Sequence, residues 1–185
     1  MKKYLITSRE FYTDTPAVFK KILSEQFIKH QPDYALYRDK SNQIYDTQAE
    51  HFIEVCNSFE GVKSFIHQKI YLAKTLNANG VHLTSKQFDE IKYAKELGLE
   101  VIISTHTHEE VFQAQAFGAD GVTYSPIFHS PGKGKPKGIE DLKELLKKCK
   151  IKVFALGGII SPREIDILQD IKPYGFSSIR YFFTK

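Results

Sequence analysis

Residues 99–124 read LEVIISTHTHEEVFQAQAFGADGVTY, and the way this stretch divides decides the fold. Its first six residues are a short apolar, β-branched run, too brief for a helix and bounded by polar residues, which predicts a strand over 99–104. Thr107-His-Glu-Glu110 then has the spacing of a capping box, in which the threonine hydroxyl caps the helix and the glutamate reaches back to the chain. The helix it starts is stopped by Gly118, and residues 120–124 begin a second strand. Strand, helix and strand in 26 residues make one right-handed crossover between parallel neighbours.

The same unit recurs in both directions. Upstream, strands are predicted at 3–7, 34–37, 64–66 and 80–83. Thr15-Pro16 opens a helix with the stripe Val18, Phe19, Ile22 and Leu23, with proline at its first position. Asp46 is expected to cap a helix whose apolar face is Ala49, Phe52, Ile53 and Cys56. A short helix over about 69–76 joins strands three and four, and Ser85 is expected to start one carrying Phe88, Ile91 and Ala94. Downstream, a helix along Ile139, Leu142 and Leu146 leads to a strand at 152–156. Ser161-Pro-Arg-Glu164 is a second capping box, and 176–179 is the eighth strand. Asn77-Ala-Asn-Gly80-Val81 and Gly118-Ala-Asp-Gly121-Val122 also echo each other ahead of strands four and six.

Eight strands alternating with seven helices predict an α/β protein, a closed (β/α)8 TIM barrel over residues 1–185 as a single domain. No G-x-G-x-x-G follows the first strand, which argues against an open dinucleotide-binding sheet. The sequence offers no final helix, because it ends two residues after Phe183. Strand eight runs into Ile179-Arg180-Tyr181-Phe182-Phe183, so these aromatics need other cover: a homodimer contact, or a fold-back over the barrel.

Composition narrows the function. Of the 185 residues, 42% are hydrophobic and 26% charged, which is globular rather than disordered. No apolar run approaches the roughly 20 residues of a membrane span, and the N-terminus has no sustained secretory core. The expectation is a cytoplasmic protein with no membrane contact. Cys56 and Cys149 are far apart and outside any C-x-x-C pair, so both are expected to be free thiols. The net charge of +4 is spread along the chain, without zinc-finger, bZIP or RNP patterns, which argues against a nucleic-acid partner.

In such barrels chemistry gathers where the strands end. Those ends read Thr7-Ser8, Tyr37-Arg38-Asp39-Lys40, His67-Gln68, His82, Ser104-Thr105-His106-Thr107, Ser125-Pro126 with His129, Gly157-Gly158 and Arg180. The set is rich in cations, hydroxyls, imidazoles and glycine amides, and poor in carboxylates, which suits a small phosphorylated anion. Gly157-Gly158 is the expected phosphate turn, and residues 133–137 form a lysine-rich loop able to bind an anion. His51 and His108 are expected on helix exteriors. No residue set has metal-ligand spacing, and no Ser/His/Asp set is visible.

Taken together, Leu5-Ile6-Thr7-Ser8, Leu36-Tyr37-Arg38-Asp39-Lys40, Asn79-Gly80-Val81-His82-Leu83, Ser104-Thr105-His106-Thr107, Gly118-Ala119-Asp120, Ser125-Pro126-Ile127-Phe128 and Ala155-Leu156-Gly157-Gly158-Ile159 resemble, in order and over nearly the whole chain, the thiamine phosphate synthase and thiazole tautomerase (TenI) superfamily. The resemblance implies a thiazole phosphate or pyrimidine ligand, with binding residues Thr7, Tyr37, Arg38, Lys40, His67, Gln68, Ser104, Thr105, Ser130, Lys133, Gly157, Gly158 and Arg180. It also marks departures. The two aspartates that hold Mg²⁺ in the synthase branch correspond to Gln68 and Gln87, and the asparagine before the first is His67. The phosphate-loop threonines appear as Ser130 and Gly132, and the serine after strand eight is Arg180. The tautomerase histidine falls on Pro126, three residues before His129. With no carboxylates for the metal, the expectation is thiazole tautomerase-type proton transfer without cofactor, using His129, His106 or His82 as acid and base. The alternatives are Mg²⁺-dependent thiamine phosphate synthesis and a barrel that binds a phosphorylated ligand without catalysis.

Overall fold

The computed structural model describes residues 1–183 and contains a closed, all-parallel barrel in which each strand pairs with the next and the eighth with the first. The strands are β1 (Lys2–Ile6), β2 (Tyr34–Tyr37), β3 (Lys63–His67), β4 (Gly80–Leu83), β5 (Glu100–Thr105), β6 (Gly121–Tyr124), β7 (Lys152–Leu156) and β8 (Gly175–Ser178). The helices are α1 (Arg9–Tyr12), α2 (Pro16–His30), α3 (Tyr45–Asn57), α4 (Ile70–Thr75), α5 (Ile91–Glu96), α6 (His108–Ala116), α7 (Ile139–Lys148) and α8 (Pro162–Ile171). Seven of them, α2 to α8, are the expected crossovers. The one-turn α1 is an addition that sequence periodicity cannot detect in four residues.

Strand alternation separates two cores. Leu5, Ala35, Ile66, Val101, Val122 and Val153 face outward and meet the helices. Tyr4, Ile6, Tyr34, Leu36, Phe65, Ile102 and Phe154 fill the barrel. The interior is aromatic at its waist: the Tyr4 ring lies 5.7 Å from Tyr34, 5.8 Å from Phe65 and 5.2 Å from Phe154. Two glycines make room for these rings. A Cβ at Gly80 would run into the Phe65 ring and the Glu100 carbonyl, and one at Gly175 would lie 2.7 Å from the Phe154 ring. Below the aromatics, at the N-terminal end of the strands, Glu100 pairs with Lys63 at 2.6 Å and Lys152 at 3.4 Å, and the Tyr34 and Tyr174 hydroxyls meet at 2.9 Å.

Local expectations hold where capping geometry is explicit. The Glu110 N–H donates to Thr107 Oγ1 at 3.2 Å, and the Ser161 N–H donates to Glu164 Oε2 at 2.8 Å. The segment expected as one helix from Ser85 is instead a 3-10 turn over Phe88–Glu90 followed by α5. The cause is Gln87, whose side-chain oxygen accepts from Thr84 and holds the loop open. Ile44, not Asp46, precedes α3, and Asp46 lies in its first turn. His108 is half-buried rather than exterior, 5.9 Å from the Tyr124 ring and 3.2 Å from Asp141. Cys56 is buried and Cys149 partly so, and both are free thiols.

Among the described residues no helix follows β8. Residues 180–183 form a turn closed by Phe183 N–H donating to the Arg180 carbonyl at 2.9 Å. Phe182 is fully buried, stacked at 5.7 Å on Phe176 and edge-on to His30 at 5.4 Å. Phe183 packs at 4.9 Å on Phe11 and 5.4 Å from Tyr12, both in α1. The aromatic flank is therefore covered from within the chain, by its own tail and by α1. The bare patch that argued for a homodimer does not exist. No helix among the described residues is long and apolar enough to cross a membrane.

If buried Phe182 is a packing element of this flank, Phe182→Ala should cost about 3–5 kcal/mol in urea unfolding, as aromatic truncation in a core does. Phe112→Ala on α6, where the ring is 37% exposed, should cost about 1 kcal/mol or less.

Candidate functional site

The C-terminal ends of the strands surround a cavity of about 780 Å³. Its apolar walls come from Ile6, Leu156, Ile159 and Ile179, and its mouth carries five cations, Arg38, Lys40, Lys86, Lys133 and Arg180. One carboxylate, Glu10 on α1, lines it. Like charges gathered on a concave surface focus a positive field that an anion relieves.

Arg38 reaches the cavity because it lies two residues beyond Leu36, on the same face of β2. Its backbone N–H donates to Thr7 Oγ1 at 2.9 Å, so the buried Thr7 latches the end of β2 to β1 without lining the cavity itself. Burial lowers the Arg38 pKa from its ordinary value, with Tyr45 and Asp39 opposing. The Lys40 pKa is lowered chiefly by the Arg38 charge, then by burial, then by Lys133. That last influence places the β6–α7 loop within electrostatic reach of the β2 loop.

His67 lines the cavity beside these cations. Burial first, then the charges of Arg38 and Lys40, push its pKa down to about 4, so the ring is neutral at physiological pH. Gln68 lies on the cavity wall with a positive φ of 65°, its N–H bound to the His82 carbonyl at 2.9 Å. His82 is one layer deeper. It is buried, with Nδ1 2.9 Å from the Tyr4 hydroxyl and Nε2 3.0 Å from Ser104 Oγ, and it is held neutral by burial and by His67 and Arg38. His82 therefore meets the cavity through Ser104, which lines it.

His106 is exposed at the mouth and lines the cavity, with Nδ1 3.1 Å from the Ser125 carbonyl. The Ser125 hydroxyl lies 3.4 Å from the same nitrogen, so Ser125 holds the ring by its Nδ1 edge. Ser130 and Lys133 line the cavity from the following loop. That loop continues the sheet beyond β6: Ile127 N–H donates to the Leu156 carbonyl at 2.9 Å, and Phe128 N–H to Gly157 at 3.0 Å. Its close approach explains the glycine pair. A Cβ at Gly157 would fall 2.8 Å from Pro126, and one at Gly158 would fall 2.5 Å from the His129 carbonyl; both residues also hold positive φ, 98° and 71°. Arg180 completes this side, on a turn fixed by Ser178, whose hydroxyl donates to the Ile159 carbonyl at 2.7 Å and accepts from Tyr181 N–H at 3.1 Å.

Besides Thr7 and His82, three expected site residues lie off the cavity lining. Tyr37 is buried on the outer face of β2 against Phe19 and Phe52, its hydroxyl accepting from Asn42 at 3.1 Å. Thr105 is buried with Oγ1 donating to the Thr123 carbonyl at 3.0 Å. Both have the wrong strand parity to face the cavity. His129 is exposed and is not among the lining residues, although its backbone packs on Gly158. Sequence reasoning in turn missed Lys86, which follows β4 directly and is found by the same strand-end rule, and α1, which brings Glu10 and Phe11 to the rim.

At the positions where the resemblance assigns metal ligands, the side chains are neutral amides. The Gln87 oxygen accepts from both Thr84 N–H and Thr84 Oγ1 at 3.0 Å, and its nitrogen donates to the Gln68 carbonyl at 3.4 Å and to Glu90 at 3.2 Å. Among the described residues no three His, Cys, Asp or Glu side chains are placed to share a metal ion. These residues do not fit a divalent cation, which wants charged oxygen ligands.

The depressed His67 pKa has a stability sign. The unfolded chain binds this proton at its ordinary pKa and the folded chain only near 4. The stabilisation is complete above the unfolded value and is lost as pH falls from about 6.5 towards 4. Wild type should lose about 2 kcal/mol from this group between pH 7 and pH 5, and His67→Gln should flatten the profile by that amount in urea titrations.

Comparison with known proteins agrees with this geometry. The model of the family described as thiamine monophosphate synthase matches residues 3–170. A thiamine-phosphate synthase of Caldicellulosiruptor saccharolyticus is 31% identical over 139 residues, covering 72% of this chain and 63% of the relative. One of Clostridium acetobutylicum is 29% identical over 85% of this chain and 76% of its own length. The chain thus spans a little under two thirds of the first of these. Among solved structures, a thiamine phosphate pyrophosphorylase of Pyrococcus furiosus superposes with a TM-score of 0.78 at 22% identity, over 96% of this chain and 85% of that one, a likeness of fold. Barrel, cavity position and family match converge: the chain belongs to the thiamine monophosphate synthase (TMP-TENI) family.

Proposed function

We propose that this barrel is a transferase of the thiamine-phosphate synthase type, joining a pyrimidine carried on a methylene diphosphate to a thiazole phosphate. The observation that carries the reading is the convergence of Arg38, Lys40, Lys133 and Arg180 on one cavity that the Gly157–Gly158 turn also lines, and we assign the turn with Arg180 to a second phosphate. Two phosphorylated substrates need two such groups. The names of the relatives support the same reaction.

In this step the bond between the pyrimidine methylene carbon and the diphosphate oxygen breaks, and its electron pair leaves with the diphosphate. The thiazole nitrogen lone pair forms the new carbon–nitrogen bond. Negative charge builds on the leaving oxygen, so the groups that matter most are the cations facing it, Arg38, Lys40 and Lys133. Fixed charges in a walled cavity stabilise such a leaving group without having to reorganise. Neutral His67 offers a ring N–H to the same oxygens, and the Ser104 hydroxyl, oriented by His82, offers another donor. The apolar walls exclude water, which would otherwise compete for the methylene carbon. The family resemblance implies Mg²⁺ for this chemistry, but the neutral amides of Gln68 and Gln87 do not fit the ion.

A second reading, thiazole tautomerisation, draws on His106. Its imidazole lines the cavity mouth, held by Nδ1 at Ser125, and is the group there that can take or give a proton. His129, exposed and away from the cavity lining, does not serve that role.

Purified protein given both phosphorylated substrates should release diphosphate and thiamine phosphate, and Arg38→Ala should lower kcat/KM by about 100-fold or more, as losing a charged partner of the leaving group does. Isomerisation of a thiazole carboxylate phosphate that is abolished in His106→Ala, with no coupling, would replace this reading by the second. Inactivity in both assays with retained thiazole phosphate binding would leave a ligand-binding barrel. For the phosphate turn, Arg180→Ala is the informative variant: a side chain at Gly158 strains the backbone as well as the site.

A further inference from the structure

The loop after β4 contains a cation that the family resemblance does not assign. Lys86 lines the cavity and is exposed, and among the described residues it makes no hydrogen bond or ion pair. Its neighbours do the opposite. Gln87 is tied on both ends of its amide, to Thr84, to the Gln68 carbonyl and to Glu90, so it braces the β3 and β4 loops together. The loop therefore holds its own backbone with Gln87 and presents an ammonium group beside it. Around the cavity, Arg38, Lys40 and Lys133 carry the same sign, and the one lining carboxylate, Glu10, is on α1 rather than on this loop.

We infer that Lys86 is a diphosphate-binding residue which, with Arg38, Lys40 and Lys133, supplies from the protein the positive charge that a carboxylate-held metal would otherwise bring. The inference rests on the synthase reading for the identity of the ligand and concerns binding alone. An ammonium has three donors and one charge, so it can hold terminal phosphate oxygens but cannot clamp oxygens of both phosphates as tightly as a divalent ion. Three ammoniums and the Arg38 guanidinium in one cavity offset that. Diphosphate binding becomes a property of the apoprotein, dependent on ionic strength and not on a metal.

Calorimetric titration with inorganic pyrophosphate, in EDTA and again with excess Mg²⁺, tests this. Wild type should bind pyrophosphate in EDTA, and excess Mg²⁺ should leave the affinity unchanged or weaken it, because the metal competes for the same oxygens. Lys86→Ala should weaken binding about tenfold or more, while Lys86→Arg should stay within about threefold of wild type. The position is on an exposed loop, so neither change threatens the fold. Pyrophosphate binding that requires Mg²⁺, or that is unchanged in Lys86→Ala, overturns the inference. Metal-free binding with no coupling activity would keep it and remove the synthase reaction. Coupling that requires Mg²⁺, with no pyrophosphate bound in EDTA, would do the reverse.

Discussion

The aromatic packing inside the barrel is the constraint on which the rest depends. Eight short strands close only if their inward side chains fill the space between them, and here Tyr4, Tyr34, Phe65 and Phe154 do so at the waist. Large rings from four strands fit because β4 and β8 contribute Gly80 and Gly175 beside them. Small inward residues opposite large ones let the layers interlock, and the volume balance leaves the lower half solid. The upper half is then free to be hollow. The next inward residues are Ile6, Leu36, His67, His82 and Ser104, which together are too small and too polar to close it.

Charge follows from that division. At the bottom, Glu100 pairs with both Lys63 and Lys152, so the cations of the closed end have a counter-charge of their own without any ligand. At the top, the cations meet one another: the Lys40 pKa falls chiefly because of Arg38, and the His67 pKa falls through burial first and then through Arg38 and Lys40. The open end therefore carries an electrostatic cost that the packed interior must offset. The family's fold is kept, and the cavity rim carries five cations beside the one lining carboxylate found among the described residues.

Much of this was legible in the sequence. Alternating short apolar runs and capped helices defined a barrel, because in Leu99–Tyr124 period, capping box and glycine stop all point to one crossover. The positions of Arg38, Lys40, His67, Ser104, Lys133 and Gly157 at the cavity followed from strand ends. What misled was parity at those ends. Tyr37 and Thr105 lie one residue from true lining positions, and a single step turns a strand side chain to the opposite face. The tail was harder still: the burial of Phe182 depends on His30 and Phe176, and that of Phe183 on Phe11, contacts across most of the chain that no local pattern encodes. His129 failed for a related reason, since the loop that carries it is held by backbone bonds to β7, which decide where its side chain points.

The line of hydrogen bonds from Ser104 through His82 to Tyr4 has an optical consequence. The chain has ten tyrosines and no tryptophan, so its near-ultraviolet absorption and emission belong to tyrosine. Tyr4 is fully buried, and desolvation raises its pKa well above the ordinary phenol value, so it resists ionisation at alkaline pH. Its phenol nevertheless lies two hydrogen bonds from the cavity surface. A ligand that accepts the Ser104 proton leaves the Ser104 oxygen to accept from His82 Nε2–H, and the neutral ring then accepts the Tyr4 proton at Nδ1. The barrel core thus carries a native chromophore that reports occupancy of the cavity from a place no solvent reaches.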